Sequence, residues 1–177
     1  MFEDYARLPD RAGIRYEVIR GHLYMSPAPK PKHQMALLNL AAMMREHVKR
    51  HKLGMVFVAP TDVIMADVAT PVQPDILFIA KANESIVNED NIKGVPDLLI
   101  EVLSPSRPQY DRDVKFKAYQ DVRVLEYWIV DPDAKTIEVN VRREDMLLAM
   151  PLFHVRETLM SEVLPGFTPL VDEVFEK

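Results

Sequence analysis

The run Leu98-Leu-Ile-Glu-Val-Leu103 constrains this chain more than any other segment. A strand so nearly continuous in Leu, Ile and Val belongs at the centre of a sheet covered on both faces. Alternation sets Leu99, Glu101 and Leu103 on one face and Leu98, Ile100 and Val102 on the other. Glu101 is the exception. A carboxylate in such surroundings must be neutralised, paired or bound to a metal, because leaving it alone costs several kcal/mol. One alternative is purely structural: an ion pair with a Lys or Arg of the next helix.

The neighbouring segments place that strand in an α/β context. Residues 15–25 alternate as a strand or hairpin with Gly21 at the turn. From His33, Leu37, Leu40, Ala41, Met44 and Val48 recur at helical spacing, which predicts a helix to near Lys52. Extended segments are expected at 55–59, 62–65 and 72–79, with a short helix or loop over 83–92. A helix from about Pro108 to Asp121, a buried strand over 125–130, two further strands over 136–141 and 146–154, and a final helical turn complete the pattern. Interleaved strands and helices predict a mixed sheet flanked by helices. With no repeat or linker, residues 1–177 read as one domain.

Asp75 repeats the embedded acid. It follows Gln73-Pro74 and opens the apolar run Ile76-Leu-Phe-Ile79. Pro74 lacks a ladder donor and belongs where a strand begins, so Asp75 should stand at a sheet entrance. An Asp after Pro is also a common turn residue. Two embedded carboxylates together suit a hard cation such as Mg²⁺, which takes one or two of them plus water and phosphate oxygens. After Glu101, Asp111, Lys115 and Tyr119 fall at i, i+4 and i+8 and share a helix face, so Lys115 can project toward the preceding strand. An ordinary intrahelical Asp111–Lys115 pair explains the spacing equally but leaves Glu101 alone.

Composition narrows the chemistry. There are no cysteines, so any metal is held by oxygen or imidazole, and a reducing cytoplasm is the simplest home. No run is long and apolar enough for a membrane span, and no membrane partner is expected. The charged start, Met1 to Arg7, does not resemble a signal peptide. A net charge of −5 argues against a surface coated in positive potential. A local basic stretch exists nonetheless: Lys30, Lys32, Arg45, Lys49, Arg50 and Lys52, with Glu46 the lone acid among them. It reads equally as a solvated helix face.

Tyr16-Glu17 with Gly21, His33 near a helix start, Gln73-Pro-Asp75, Glu101-Val-Leu-Ser-Pro105, Asp111…Lys115…Tyr119 and Glu126-Tyr-Trp-Ile-Val-Asp131-Pro132 resemble the Uma2 family, over residues 15–170 or so. These are prokaryotic proteins similar to restriction endonucleases. The resemblance implies the PD-(D/E)xK nuclease fold, with Asp75 and Glu101 as the acids. Leu103 stands where the usual signature has lysine, and the Uma2-like pattern moves that lysine to the following helix, here Lys115. Glu17 matches an additional N-terminal acid.

The implied site is catalytic Asp75, Glu101 and Lys115, with Asp75, Glu101 and Glu17 toward Mg²⁺ or Mn²⁺ and the Val102 carbonyl as a further donor. His33, Gln73, Asp62, Asp111 and Tyr119 are candidates for substrate contact or support. For each of them a core-packing, backbone-bonding or ion-pairing role competes. The expected activity is hydrolysis of phosphodiester bonds, with DNA as partner and a homodimer suited to cutting two strands. A catalytically silent nuclease-fold protein that binds nucleic acid or another protein is the principal alternative, because fold and activity are separable. A glycosidase using Asp75 and Glu101 ranks last, since such sites want stacking aromatics and the chain is 8% aromatic.

Overall fold

A computed structural model describes residues 15–26, 28–65, 68–104 and 110–177. The chain opens with the expected hairpin, β1 (Arg15–Ile19) and β2 (His22–Ser26), fully registered from Arg15↔Ser26 to Ile19↔His22. Its two-residue turn holds Arg20 at φ 49° and Gly21 at φ 78°. Positive φ at both central positions matches the twist of the flanking strands, and glycine adopts it without a Cβ clash.

Helix α1 (Pro31–His51) begins at a proline, whose missing N–H is no loss in the first turn. It ends at Lys52, in left-handed conformation at φ 56°. Its buried stripe is His33, Ala36, Leu40, Met44 and Val48, so His33 is the first rung of the face that meets the sheet. Leu40, Met44 and Val48 each contribute roughly 1.5–3 kcal/mol by leaving water.

The middle of the chain supplies β3 (Gly54–Val58), β4 (Val63–Met65), β5 (Ala69–Val72), β6 (Ile76–Ala80), a 3₁₀ turn (Lys81–Ile86), β7 (Ile92–Lys93) and β8 (Leu98–Val102). Then come a π-helical turn (Tyr110–Lys115) leading directly into α2 (Phe116–Asp121), β9 (Glu126–Asp131), β10 (Thr136–Arg143), β11 (Met146–Ala149), β12 (Phe153–His154) and α3 (Val171–Phe175). Two expected strands are each divided in two. Residues 72–79 break at Gln73-Pro74-Asp75, because Pro74 cannot continue a ladder and the two halves join different sheets. Residues 146–154 break between β11 and β12, which pair with opposite ends of β10.

The strands form two mixed sheets instead of one. The larger has seven strands in the order β11-β10-β9-β8-β6-β3, with β12 also on β10; the smaller runs β2-β1-β5-β4-β7. In the larger sheet β8 and β9 are parallel, while β6 is antiparallel to β8. All five residues of β8 are buried, as a central strand requires.

Each face of the large sheet has its own core. Leu98, Ile100 and Val102 pack with the α1 stripe, Trp128, and Val171 and Val174 of α3. Leu99 and Leu103 pack with Ile19, Val63 and Val72 of the smaller sheet and with Ala118 and Tyr119 of α2. The layers are therefore α1 with α3, the large sheet, and the smaller sheet with α2. No described helix is long and apolar enough to cross a membrane.

Candidate active site

Asp75 stands just ahead of β6, and the β6–β8 register runs Ile76↔Ile100, Leu77↔Leu99, Phe78↔Leu98. One more step along that register brings Asp75 level with Glu101. The step is reinforced by the Val102 N–H, which donates to Asp75 Oδ2 at 2.9 Å. Both acids are buried, at 2% and 3% exposure.

Their partners come from opposite layers. His33, from α1, places Nε2 3.1 Å from Asp75 Oδ2. Glu101 takes its partners from the other layer. Lys115 Nζ lies 2.9 Å from Glu101 Oε1, and the Tyr119 hydroxyl donates to the same oxygen at 2.8 Å. Lys115 is itself buried at 4% exposure and also reaches Glu17 Oε1 at 3.0 Å. Its ammonium bridges an acid of the large sheet and an acid of the hairpin. Burial, and then the charges of Glu101 and Glu17, push the Tyr119 hydroxyl well above its ordinary pKa, so it stays a donor.

Glu17 is held from several sides. Its Oε1 also accepts the Gln73 N–H at 3.0 Å, and its Oε2 accepts the Tyr110 hydroxyl at 3.4 Å. Tyr110 contributes further, with its ring 5.4 Å from Lys115 Nζ and tilted against Tyr24 at 4.6 Å. Sequence reading passed over Tyr110. Its position follows from the π-helical turn, whose wider winding cannot be inferred from α-helical spacing.

Gln73 continues the chain of contacts outward. Its side-chain amide donates to Asp62 Oδ1 at 2.9 Å, while its Oε1 is buried with no partner among the described residues. Asp62 and Gln73 line a separate cleft of about 460 Å³ with residues 88–92. The side chain of Asp111 lies outside the described residues.

Two other buried acids do structural work. Glu126 accepts the Trp128 indole N–H at 2.6 Å and the backbone N–H groups of Glu162 and Val163 at 2.9 and 3.2 Å. Asp97 accepts the Ala80 N–H and the Asn83 amide, both at 2.7 Å. An acid in an apolar strand is thus no sufficient sign of a site. The pair Asp75 and Glu101 differs in touching ionisable side chains, His33 on one and Lys115 and Tyr119 on the other.

Among the described residues no group of three or more His, Asp or Glu is placed to hold a metal ion. The donor chemistry still suits Mg²⁺ or Mn²⁺, which commonly take one or two carboxylates and leave the remaining positions to water and phosphate. Asp75 and Glu101 are hard oxygen donors at adjoining strand positions. Beside them, His33 Nδ1 is buried with no partner among the described residues.

Similarity to known proteins agrees with this architecture. The crystal structure of "a putative nuclease belonging to DUF820" from Anabaena variabilis ATCC 29413 superposes with a TM-score of 0.80. The match has 19% identity and covers 98% of this chain and 96% of that one. At that identity the likeness establishes the fold. "Uncharacterized protein sll1609" from Synechocystis sp. (strain ATCC 27184 / PCC 6803 / Kazusa) is 23% identical over 136 residues, 76% of each chain. Residues 2–172 match the family described as "Uma2: Putative restriction endonuclease", and the chain belongs to that Uma2 family.

Proposed function

We propose that this chain is a Mg²⁺- or Mn²⁺-dependent phosphodiesterase that cuts DNA, with Asp75, Glu101 and Lys115 as its catalytic residues. The observation that carries the reading is the place of Asp75 one register step beyond the Ile76↔Ile100 pair, which sets it beside Glu101 along the strands, with Lys115 bonded to Glu101. The Uma2 family description and the nuclease fold support it.

Asp75 and Glu101 would hold the cation, with Glu17 reaching it through water. When bound, the metal polarises the phosphate and makes a bound water a stronger nucleophile. Hydrolysis adds water to phosphorus, breaks one P–O ester bond and returns a proton to the leaving oxygen. Lys115 is suited to steady negative charge growing on the phosphate. Tyr119, kept protonated, fixes the orientation of Glu101 through its hydroxyl. His33 does the same for Asp75. A cytoplasmic homodimer cutting both strands of a duplex is the form this proposal takes.

The test is cleavage of plasmid DNA by purified protein with Mg²⁺ or Mn²⁺. Lys115→Ala should abolish it, and cleavage that survives removes Lys115 from the mechanism.

One observation favours a second reading. The Lys115 ammonium already sits within bonding distance of both Glu17 and Glu101, as it would in a purely structural ion pair. A catalytically silent binding protein with this fold would show no calorimetric uptake of Mn²⁺ near neutral pH.

A further inference from the structure

The two edges of the large sheet are finished differently. At the β11 edge the Leu147 N–H is taken by the Gln120 side-chain oxygen at 3.2 Å, so α2 covers the strand there. At the other edge stands β3, Gly54-Met-Val-Phe-Val58, with no charged residue, proline or bulge to blunt it.

The β3–β6 ladder fixes which backbone groups are spare. Two bonds bracket it: Lys81 N–H to the Leu53 carbonyl at 2.8 Å, and Ala59 N–H to the Asp75 carbonyl at 3.1 Å. Every second pair of an antiparallel ladder exchanges bonds, so Met55 and Phe57 turn their N–H and C=O toward β6. Gly54, Val56 and Val58 turn theirs outward, and no described strand lies beyond them. One outward group is used: the Val58 carbonyl accepts the Thr61 hydroxyl at 2.8 Å.

This edge opens into a groove of about 980 Å³ against the outer flank of α1. The helix returns into β3 through Lys52 and Leu53 alone, so the two run antiparallel. Leu38 and Ala42 therefore line the end toward Val58, and Arg45, Lys49 and Arg50 line the end toward Gly54. Leu38 and Val58 are 62% and 41% exposed. Arg50 is paired with Glu46, the one acid of the lining, whereas Arg45 and Lys49 have no carboxylate partner among the described residues. In a chain of net charge −5 this groove is apolar at one end and basic at the other.

We propose that the groove takes an extended segment of another protein, which adds as a strand to β3 and turns apolar side chains toward Leu38 and acidic ones toward Arg45 and Lys49. Main-chain bonds to Val56 and Val58 supply the attachment, and the apolar-to-acidic order supplies the selection. Alternate side chains of such a strand stand about 7 Å apart, so three or four of them span the groove. Charge argues against a second copy of this chain, because a two-fold β3–β3 pairing would bring both sets of three cations to one interface. A nucleic-acid strand would use the cations but leave the apolar end and the strand edge idle, and Phe57 is the one aromatic among the described lining residues. The proposal goes beyond the phosphodiesterase reading and does not depend on it. The groove meets the candidate active site through backbone, since Ala59, next to Val58, donates to the Asp75 carbonyl.

The experiment uses the full chain and two fluorescein-labelled peptides, Ser-Val-Ser-Val-Ser-Glu-Ser-Glu-Ser and its reverse, which cover both strand directions. One of them should bind saturably below about 1 mM. Amide exchange followed by NMR should then slow about tenfold or more at Val56 and Val58, with little change at Met55 and Phe57, which the ladder already protects. Glutamine in place of glutamate in the peptide should weaken binding roughly two- to thirtyfold, the span of two exposed ion pairs, and so should Arg45→Ala/Lys49→Ala. Leu38→Asp, at an exposed helix position, should weaken it as well. N-methylation of alternate peptide nitrogens should abolish it.

Absence of saturable binding by either peptide, protection centred elsewhere, or binding indifferent to N-methylation overturns the proposal. Oligothymidine protecting Val56 and Val58 where the peptides do not gives the groove to nucleic acid and overturns it too. Protection of those amides that grows with protein concentration alone gives it to a second copy, with the same consequence.

Discussion

The Tyr119 hydroxyl donates to Glu101 Oε1 across 2.8 Å, and that oxygen is also the one nearest Lys115. Two donors on one buried oxygen fix where the carboxylate can turn its second oxygen.

Tyr119→Phe removes one of these donors without changing shape. A hydrogen bond to a charged group is worth about 1.5–3 kcal/mol, and urea unfolding should show a loss of that order. The direction with pH is also set. The folded hydroxyl is raised above the unfolded value near 10. Its stabilising contribution is complete below that pH and is lost as pH climbs toward the folded value. The phenylalanine variant should therefore lose less stability than the wild type between about pH 9 and about pH 11. Parallel curves over that range would show that Tyr119 is not protected.

Lys115→Ala leaves Glu17 and Glu101 buried without their shared ammonium. Removing one partner of a buried charge pair costs about 3–5 kcal/mol. Paired with Glu17→Gln, the two effects should not add, since each substitution disrupts the same contact. A double-mutant cycle closing on zero coupling would mean that the 3.0 Å approach of Lys115 to Glu17 has no energetic content.

Glu126 offers a pH test away from the proposed chemistry. Burial raises its carboxyl above the usual 4.5, against the pull of the Trp128 indole and the N–H groups that lower it. The sign is that of a raised acid. Stability from this group is complete below about pH 4.5 and is lost as pH rises through the folded value. Relative to Glu126→Gln, the wild type should lose ground in Tm from about pH 4 to about pH 7. A constant gap between the two would contradict the shift.

Gly54 tests the edge of the large sheet. Its φ is +149°, and a Cβ there would lie 2.0 Å from the Ile79 carbonyl oxygen and 2.9 Å from the Lys81 nitrogen. Both are backbone atoms and cannot swing aside. Gly54→Ala should destabilise the protein by about 3 kcal/mol or more, seen in calorimetry. A near-neutral result would require β3 to pair with β6 in some other way.

Much of this was visible in the sequence, for identifiable reasons. The hairpin turn at Gly21, the apolar stripe of α1 and the continuous core of β8 are local patterns tied to fixed periods. Glu101 stood out because nothing else in its strand is polar. Residues 72–79 misled because an apolar run does not say which sheet it joins. Glu126 in β9 resembles Glu101 in sequence. Beside the Trp128 indole, its second oxygen is satisfied by the distant Glu162 and Val163 backbone, a contact that leaves no trace in a neighbouring motif. Tyr110 was hidden by a π-helical turn that shifts the face a residue presents.

The hairpin lends Glu17 to Lys115 and, among the described residues, joins the smaller sheet through the pair Ile19↔Ala69 and the Arg20 N–H bonded to the Val68 carbonyl at 2.8 Å. Segments joined to a sheet at one end can open locally while the rest stays folded. Opening of that join would strip the Lys115 ammonium of one counter-charge while the seven-stranded core still looked native to any probe of secondary structure.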